Sequence, residues 1–375
     1  MALDQRLVFR VGLRLADVSY QKIDAVKEDG FEEPAEAHQT GSPASLISWK
    51  TLGRAGRRFV STGPSRADIA RFLGADALEP IRVYVGLNSA ETARDRALLA
   101  LAELKRTGGF ERSVLVIVTP TGTGWVDPAA MDTLEYLHGG DIAGVALQYS
   151  CLPSWLTLLV EPACGARSAR ELFMAVYDHW KNLPVAERPR LYLFGLSLGA
   201  LNSDLSVDLF DVAADPFQGA LWAGPPFNTR TWKSVTQDRV PGSPAWLPRF
   251  RDSSIIRFTN QENVLDVPGA RWGPIRIVYL QYASDPITFF DPRILYRRPE
   301  WLAEPLGQDV SKKFRWFPVV TMLQLAVDMM AGTTAPTGYG HLFAPEHYIH
   351  AWTHVTDVRW TPEEIARLKS YFARR

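Results

Sequence analysis

Cysteine, net charge and long apolar runs are all scarce in this chain of 375 residues. Its two cysteines, Cys151 and Cys164, are too few for a disulfide framework or a zinc finger, and we expect buried thiols rather than a pair. The 41 basic and 41 acidic residues cancel, which argues against a nucleic-acid partner. No stretch reaches about 18 uncharged apolar residues, and residues 1–10 lack the apolar core of a signal peptide. We therefore expect the chain, as given, to be soluble and without a spanning helix.

Buried strand patterns alternate with helical stripes along most of the chain. The composition, 46% hydrophobic and 22% charged, is that of an ordinary globular protein. Capping signals begin helices at Asp127-Pro128 and at Ser168. This alternation predicts an α/β fold with a mostly parallel central sheet and helices on both faces. The predicted strands are residues 80–87, 113–118, 142–149, 191–194, 219–223 and 274–282.

The chain divides into an appendage and one large domain. Residues 1–44 combine a charged segment with a Gly/Ser/Pro-rich linker, although a helix over residues 5–26 packed on the domain is an open alternative. Residues 45–375 are predicted to form the domain. Within it, residues 224–273 are rich in loops and aromatic side chains, and we expect a cap-like segment there.

One stretch, R-L-Y-L-F-G-L-S-L-G-A-L-N at residues 190–202, carries G-x-S-x-G between a predicted strand and a small-residue helix. The pattern predicts a nucleophile elbow. Small neighbours let strand and helix approach, so that Ser197 projects from a sharp turn and the amide of Leu198 faces an oxyanion. The pattern also occurs by chance, but the strand before it and the helix after it argue against chance.

A second glycine-containing loop, T-P-T-G-T-G-W-V-D-P, occupies residues 119–128. Because proline has no N–H, the second oxyanion amide is expected from Thr121, Gly122 or Thr123. The alternative, a phosphate-binding loop, is disfavoured because the lysine of G-x-x-x-x-G-K-[ST] and the G-x-G-x-x-G spacing are both missing.

An acid and a base follow in the chain order nucleophile, acid, base. Asp285 lies just after the strand at 274–282, where parallel sheets place ligands. It could instead only cap a turn, and Asp266 and Asp291 are alternative acids. The base is predicted to be His341, in the loop G-Y-G-H-L-F. His347, at the start of the following helix, is the alternative. His347, His350 and His354 share a helix face, but no H-E-x-x-H occurs, so we predict no metal site.

Several blocks in register resemble a bacterial alpha/beta-hydrolase family whose catalytic domain commonly follows a multi-span membrane region. The resemblance covers residue 45 to the C-terminus and implies the hydrolase fold, with Ser197, Asp285 and His341 as the triad. Besides the elbow and residues 119–128, the blocks are S-W-K-T-L-G-R-A-G-R-R-F-V at 48–60, E-P-I-R-V-Y-V-G-L at 79–87, L-Q-Y-A-S-D-P at 280–286 and G-H-L-F-A-P-E-H-Y-I-H-A-W at 340–352.

Three features depart from the expected pattern. Leu196 stands where many relatives are expected to carry Glu, which makes the site more apolar. Between Asp285 and His341 no clear last strand is found, only a helical stripe of Val320, Leu323, Val327 and Met330. The membrane region is absent, so membrane association would require a missing N-terminal region or the appendage.

Together these features predict a serine hydrolase that cleaves apolar carboxylic esters through an acyl-enzyme, without cofactor or metal. The ester or lipid would be a small-molecule substrate. Acyl transfer to an alcohol and a non-catalytic scaffold used for binding remain alternatives. The expected substrate pocket is lined by Leu196, Trp125, Phe227, Phe289 and Tyr339.

Overall fold

A seven-stranded, all-parallel sheet forms the centre of the protein. The computed structural model describes residues 30–150, 162–303, 305–330 and 334–374. The sheet order is β1-β3-β2-β4-β5-β7-β6. The strands are β1 (Ile81–Val85), β2 (Val114–Thr119), β3 (Ile142–Leu147), β4 (Arg190–Leu196), β5 (Gly219–Ala223), β6 (Ile256–Thr259) and β7 (Arg276–Leu280).

Twelve α-helices are found in the described part of the chain. The first six are α1 (Gly53–Ser61), α2 (Arg66–Leu73), α3 (Ala93–Arg106), α4 (Pro128–Leu137), α5 (Pro162–Lys181) and α6 (Leu198–Ser206). The others are α7 (Leu209–Val212), α8 (Arg230–Gln237), α9 (Pro286–Phe289), α10 (Val320–Met330), α11 (Pro345–Thr356) and α12 (Pro362–Phe372). Short 3-10 turns span Trp49–Thr51, Leu87–Ser89, Gly109–Glu111, Val185–Glu187, Pro292–Leu295 and Glu300–Leu302.

The strand order determines on which face each helix lies. From β2 the chain moves to β3 on one side, whereas from β4 it moves to β5 on the other. Because parallel crossovers are right-handed, α4 and α6 lie on opposite faces of the sheet. Helices α3, α5 and α6 pack together on one face, and α11 packs against α4 on the other. The predicted α/β class is therefore confirmed.

Burial explains the apolar runs that predicted the strands. Every residue of β1, β2, β3 and β5 is buried, because parallel strands are covered by helices on both faces. Strand β6 was not predicted, because its four residues I-R-F-T fall inside the predicted loop-rich segment. This strand pairs only with β7 and occupies the sheet edge beside it.

The predicted start of α5 at Ser168 is wrong. The helix begins at Pro162, and the Ser168 hydroxyl is buried within it without a hydrogen-bond partner in the described structure. The early start is favoured by tertiary packing: a Cβ on Gly165 would come within 2.2 Å of the Asn202 side chain on α6. A Cβ here would displace the Asn202 side chain, so glycine allows the two helices to approach closely.

Two further elements bear on the site. No strand follows β7 in the described part of the chain, so His341 is carried by a loop between α10 and α11. Near the other end, Ser45 Oγ and the Leu46 amide donate to the Glu103 carboxylate of α3, at 2.6 and 3.0 Å. The chain around residue 45 is thereby attached to the sheet domain.

Candidate active site

The site lies at the carboxyl ends of β2 and β4, where the sheet changes winding direction. These strands are neighbours, yet the helices that follow them, α4 and α6, lie on opposite faces. Such a switch point opens a crevice in which α/β sheets bind ligands. The loop at 119–128 and Ser197 both border this crevice.

Ser197 occupies the sharp turn between β4 and α6. Its backbone has φ 57° and ψ −125°, a combination that is unfavourable for a residue with a Cβ and that persists where the surroundings enforce it. A Cβ on Gly195 would lie 2.3 Å from the carbonyl oxygen of Gly199, and one on Gly199 would lie 2.2 Å from that of Thr119. Both glycines are therefore required for the turn to close.

The residues on either side of Ser197 are buried. Leu198 is the first residue of α6, and the first amides of a helix have no partner within the helix. Its N–H is thus placed at the positive end of the helix dipole, where an anion is stabilised. Leu196, the last residue of β4, is 5% exposed and contributes an apolar side chain next to the nucleophile.

The loop after β2 is fastened by hydrogen bonds. The Thr121 amide donates to the carbonyl of Trp125 at 2.9 Å, and Tyr84 Oη donates to the carbonyl of Gly124 at 2.7 Å. Thr121 N–H is therefore engaged within the loop, which is a correction to its expected role as oxyanion donor. The oxyanion role of the Gly122 and Thr123 amides, which were also considered from the sequence, stays a prediction.

Asp285 follows β7, caps a helix and is hydrogen-bonded to His341. It caps α9, with Oδ1 accepting from the amide of Ile287 at 2.9 Å. Its other oxygen, Oδ2, accepts from Thr288 Oγ1 at 3.1 Å and from His341 Nδ1 at 2.7 Å. The carboxylate is buried, and its orientation is determined by the helix cap.

His341 lies between the acid and the end of β5. Because Nδ1–H donates to Asp285, the lone pair is on Nε2, the atom that a general base needs free. His341 Nε2 is buried and makes no hydrogen bond within the described structure. The ring packs so closely on Gly224 that a Cβ there would lie 2.5 Å from Cε1. The Ser197 amide donates to the neighbouring Ala223 carbonyl at 2.9 Å, which brings nucleophile and base to the same strand end.

Asp309, which the sequence analysis missed, holds the histidine loop in place. Its Oδ2 accepts from the Ser284 amide, from Ser284 Oγ and from Gln261 Nε2, at 2.9, 2.6 and 3.0 Å. Gln261 Nε2 also donates to the carbonyl of Gly338, and the Gly340 amide donates to Ser284 Oγ. The network connects the acid turn to the loop that carries His341. Of the residues in this network, only Ser284 could have been suspected from the sequence, because it directly precedes the predicted acid Asp285.

The three histidines of the predicted helix face each contact a different neighbouring residue. His347 is buried, its Nδ1 shares a hydrogen bond with Tyr282 Oη, and its Nε2 lies 3.3 Å from the Glu346 carboxylate. His350 contacts Lys369, and His354 lies 3.8 Å from Asp266. No group of three or more potential metal ligands occurs in the described ranges.

The two alternative acids lie apart from His341. Asp266 is exposed and is the partner of His354. Asp291 caps the turn at Pro292–Leu295 and forms an ion pair with Arg293. Of the three candidate carboxylates, Asp285 is the one hydrogen-bonded to His341.

A further buried carboxylate, Asp127, lies at the end of the loop after β2. It caps α4, as predicted, by accepting from the Ala129 amide, and it accepts from Tyr348 Oη at 2.9 Å. Burial raises the pKa of Asp127 to about 6, although both hydrogen bonds favour its charged form. The pKa of Tyr348 rises for the same reason, burial.

The expected pocket residues fall into two groups. Phe227 and Phe289 line a cavity of about 420 Å³ behind the acid turn, together with Trp232, Phe290 and Trp301. Neither Ser197 nor His341 is part of its wall. The other three are Leu196 at the end of β4, Trp125 in the loop after β2 and Tyr339 in the histidine loop.

Two sequence expectations concern residues outside the described ranges. Cys151 and the helix considered over residues 5–26 lie outside the described residues. Cys164 is half-buried, and its Sγ donates to the carbonyl of Tyr149 at 3.7 Å.

Of the helices described here, none has the length and apolarity needed to cross a bilayer.

Comparison with known families gives one extended match and one terminal match. A family model described as an alpha/beta-hydrolase family matches residues 81–368, and the model of its N-terminus matches residues 1–64. No curated protein matches the chain.

Solved structures are similar only in part. A Trichoderma reesei cutinase bound to a phosphonate inhibitor is 13% identical with a TM-score of 0.29, over 53% of this chain and 78% of the cutinase. An acetylxylan esterase is 13% identical with a TM-score of 0.28, over 47% and 84%. A thioesterase from the prodiginine pathway of Streptomyces coelicolor is 14% identical with a TM-score of 0.25, over 45% and 82%. At these scores the similarities have no bearing on the reaction.

Proposed function

Since the chain belongs to the alpha/beta-hydrolase family, we propose that it is a serine hydrolase that cleaves carboxylic esters through an acyl-enzyme on Ser197. One observation carries the proposal: a buried carboxylate–histidine pair and a strained serine lie at the ends of neighbouring strands. His341 Nδ1 lies 2.7 Å from Asp285 Oδ2. The His341 ring packs on Gly224, which follows β5, and β5 pairs with β4, the strand that ends just before Ser197.

The geometry supports a two-step acyl transfer. His341 Nε2 takes the proton of Ser197 as Oγ bonds to the ester carbonyl carbon, and the carbonyl π electrons move to oxygen. Collapse of the tetrahedral intermediate breaks the bond to the alkoxy group, which takes the proton from His341. Water then repeats the sequence and releases the acid. The unpartnered Nε2 is compatible with this role, because catalytic hydrogen bonds often shorten only when substrate binds.

Oxyanion stabilisation is proposed for the Leu198 amide with that of Gly122 or Thr123. The Leu198 N–H is part of the rigid start of α6, so it need not reorganise as charge develops. The second donor belongs to a loop held by Tyr84 and by its own turn. Loss of one such donor typically costs about 10²–10³-fold in kcat.

An apolar substrate is favoured by the surroundings of Ser197. Leu196 places an aliphatic side chain beside the nucleophile, and Trp125 and Tyr339 lie in the two loops that flank it. Medium-chain, uncharged esters are therefore proposed to be better substrates than peptide amides. Comparable kcat/KM on a peptide amide and on a medium-chain ester would contradict this preference.

The test of the function is ester turnover in matched variants. Ser197→Ala keeps the Cβ, and hence the backbone strain, but removes the nucleophile, so activity should fall by about 10⁴-fold or more. The activity of His341→Gln should fall by a comparable factor. His347→Gln, a change of another buried histidine in the same region, is the matched control and should remain active. Activity of Ser197→Ala within about tenfold of the parent would exclude the proposal.

A further inference from the structure

Helix α10 turns its apolar side towards solvent. Phe317, Val319, Val320, Leu323, Val327 and Met330, named here the apolar face, are between 47% and 73% exposed. On the helix itself, positions 320, 323, 327 and 330 share one side. The side that packs against the protein carries Thr321 and Leu325. The helix is thus inverted relative to the usual surface helix.

An exposed stripe of this kind indicates a binding surface. Single exposed apolar residues are common, but contiguous apolar patches on soluble proteins mark protein or membrane contacts. Polar groups are few on the helix: Gln324 and Asp328 are exposed along one border of the apolar face, and Asp328 is the single charged residue of α10. Nothing else in the described structure covers this side.

Cations cluster beside the apolar face. Lys312, Lys313 and Arg315 directly precede it and are exposed, as are Arg297 and Arg298 after the turn that packs against α10. None of these five forms an ion pair with an acidic side chain in the described structure. Unpaired cations beside exposed aliphatic and aromatic residues are typical of helices that bind the interface of anionic membranes.

The apolar face is also connected to the candidate active site. Helix α10 packs on α9, the turn that Asp285 caps. The Val319 amide donates to the carbonyl of Leu295 at 3.0 Å, in the segment that follows this turn. Beyond α10 the chain continues to half-exposed Tyr339, two residues before His341.

We propose that the apolar face binds an anionic lipid bilayer, with the flanking cations on the lipid headgroups. A second copy of the chain fits this surface less well. A two-fold dimer would oppose the same patch on both subunits and would bring two unpaired cationic clusters together, which is unfavourable. An anionic bilayer offers an apolar interior and opposite charge at once. Delivery of a lipid ester to Ser197 rests on the proposed function, whereas bilayer binding does not.

The test is co-sedimentation of the full chain with vesicles of phosphatidylcholine, alone or with about 30 mol% phosphatidylglycerol, at low and high salt. The Ser197→Ala protein serves throughout, so that turnover does not alter the lipid. The parent should bind the anionic vesicles and lose affinity as salt is raised. Leu323→Ser/Val327→Ser should reduce the partition coefficient by at least about tenfold. Lys312→Ala/Lys313→Ala should reduce it by about 25-fold on anionic vesicles.

The control is Phe210→Ser, which removes a 91% exposed aromatic residue outside the apolar face and should leave binding unchanged. With Ser197 intact, all three variants should hydrolyse a soluble short-chain ester like the parent, so that a failure of the proposed function is seen separately. Absence of vesicle binding, or equal binding by parent and variants, would overturn the proposal. So would a dimer in light scattering that Leu323→Ser/Val327→Ser dissociates without any effect on vesicles.

Discussion

Replacing Gly224 with alanine should displace His341, the proposed base, although no proposed catalytic residue is itself substituted. Gly224 follows β5 at φ +48°. An added Cβ would lie 2.5 Å from His341 Cε1 and 2.9 Å from Nδ1. Because the imidazole is hydrogen-bonded to Asp285 through Nδ1, the ring cannot yield without changing its position relative to that carboxylate or to Ser197.

The size of the effect follows from the contact. Ordinary van der Waals distance begins at 3.4 Å, so the ring must retreat by 3.4 − 2.5 = 0.9 Å. A misplacement of about 1 Å can cost about 10²-fold in rate, and we expect a loss of kcat/KM of this order. The left-handed backbone adds a loss of stability of about 1–2 kcal/mol, which by itself does not change the rate of the folded enzyme.

The assay is steady-state hydrolysis of a soluble activated ester, with urea unfolding to measure stability. Gly74→Ala is the matched control, because Gly74 has φ +70° and an added Cβ would meet nothing within 4 Å. It should show the stability loss of the left-handed backbone alone and keep full activity. The reasoning is refuted if folded Gly224→Ala stays within about threefold of the parent in kcat/KM.

Two further predictions concern residues around the triad. Asp309→Ala should lower kcat by about tenfold with little change in KM, since the loop of His341 loses its anchor. Asp291→Ala, which removes a half-buried carboxylate paired with Arg293, should leave kcat unchanged; equal effects of the two variants in kinetic assays would argue against a positioning role. The pKa of Asp127 is raised in the fold from 3.8 to about 6, so its contribution to stability is lost as pH rises through this window. Relative to Asp127→Asn, which keeps a capping oxygen, the parent should lose on the order of 3 kcal/mol of unfolding free energy between pH 4 and 7 in urea titrations; parallel pH profiles would contradict this.

The sheet could be predicted where its signals are local. The strand β2 is a run of β-branched residues, and β5 has the bounds that its pattern predicts. The elbow depends on glycines two residues from Ser197, all within one short stretch. Chain order predicted Asp285 as the partner of His341, and the structure joins them by a hydrogen bond, whereas their catalytic roles remain predictions.

Features that depend on contacts between residues far apart in the chain could not be predicted from the sequence. The strand β6 has four residues and is stabilised by pairing with β7, about twenty residues further on. Asp309 acts on Ser284 and Gln261, which are 25 and 48 residues away. Thr121 was expected to donate to an oxyanion. Its hydrogen bond to the Trp125 carbonyl could not be predicted, because that contact forms only when the loop folds. The exposure of α10 could not be predicted either, because an apolar stripe at helical spacing normally faces a core.

The central claim, that Ser197 is the nucleophile, is tested most directly by mapping a covalent adduct. The protein is treated with a fluorophosphonate probe, digested, and the modified residue is located by mass spectrometry. A single adduct on Ser197 is predicted, absent in Ser197→Ala and formed much more slowly in His341→Gln. An adduct on another serine, or none while ester hydrolysis persists, would contradict the account.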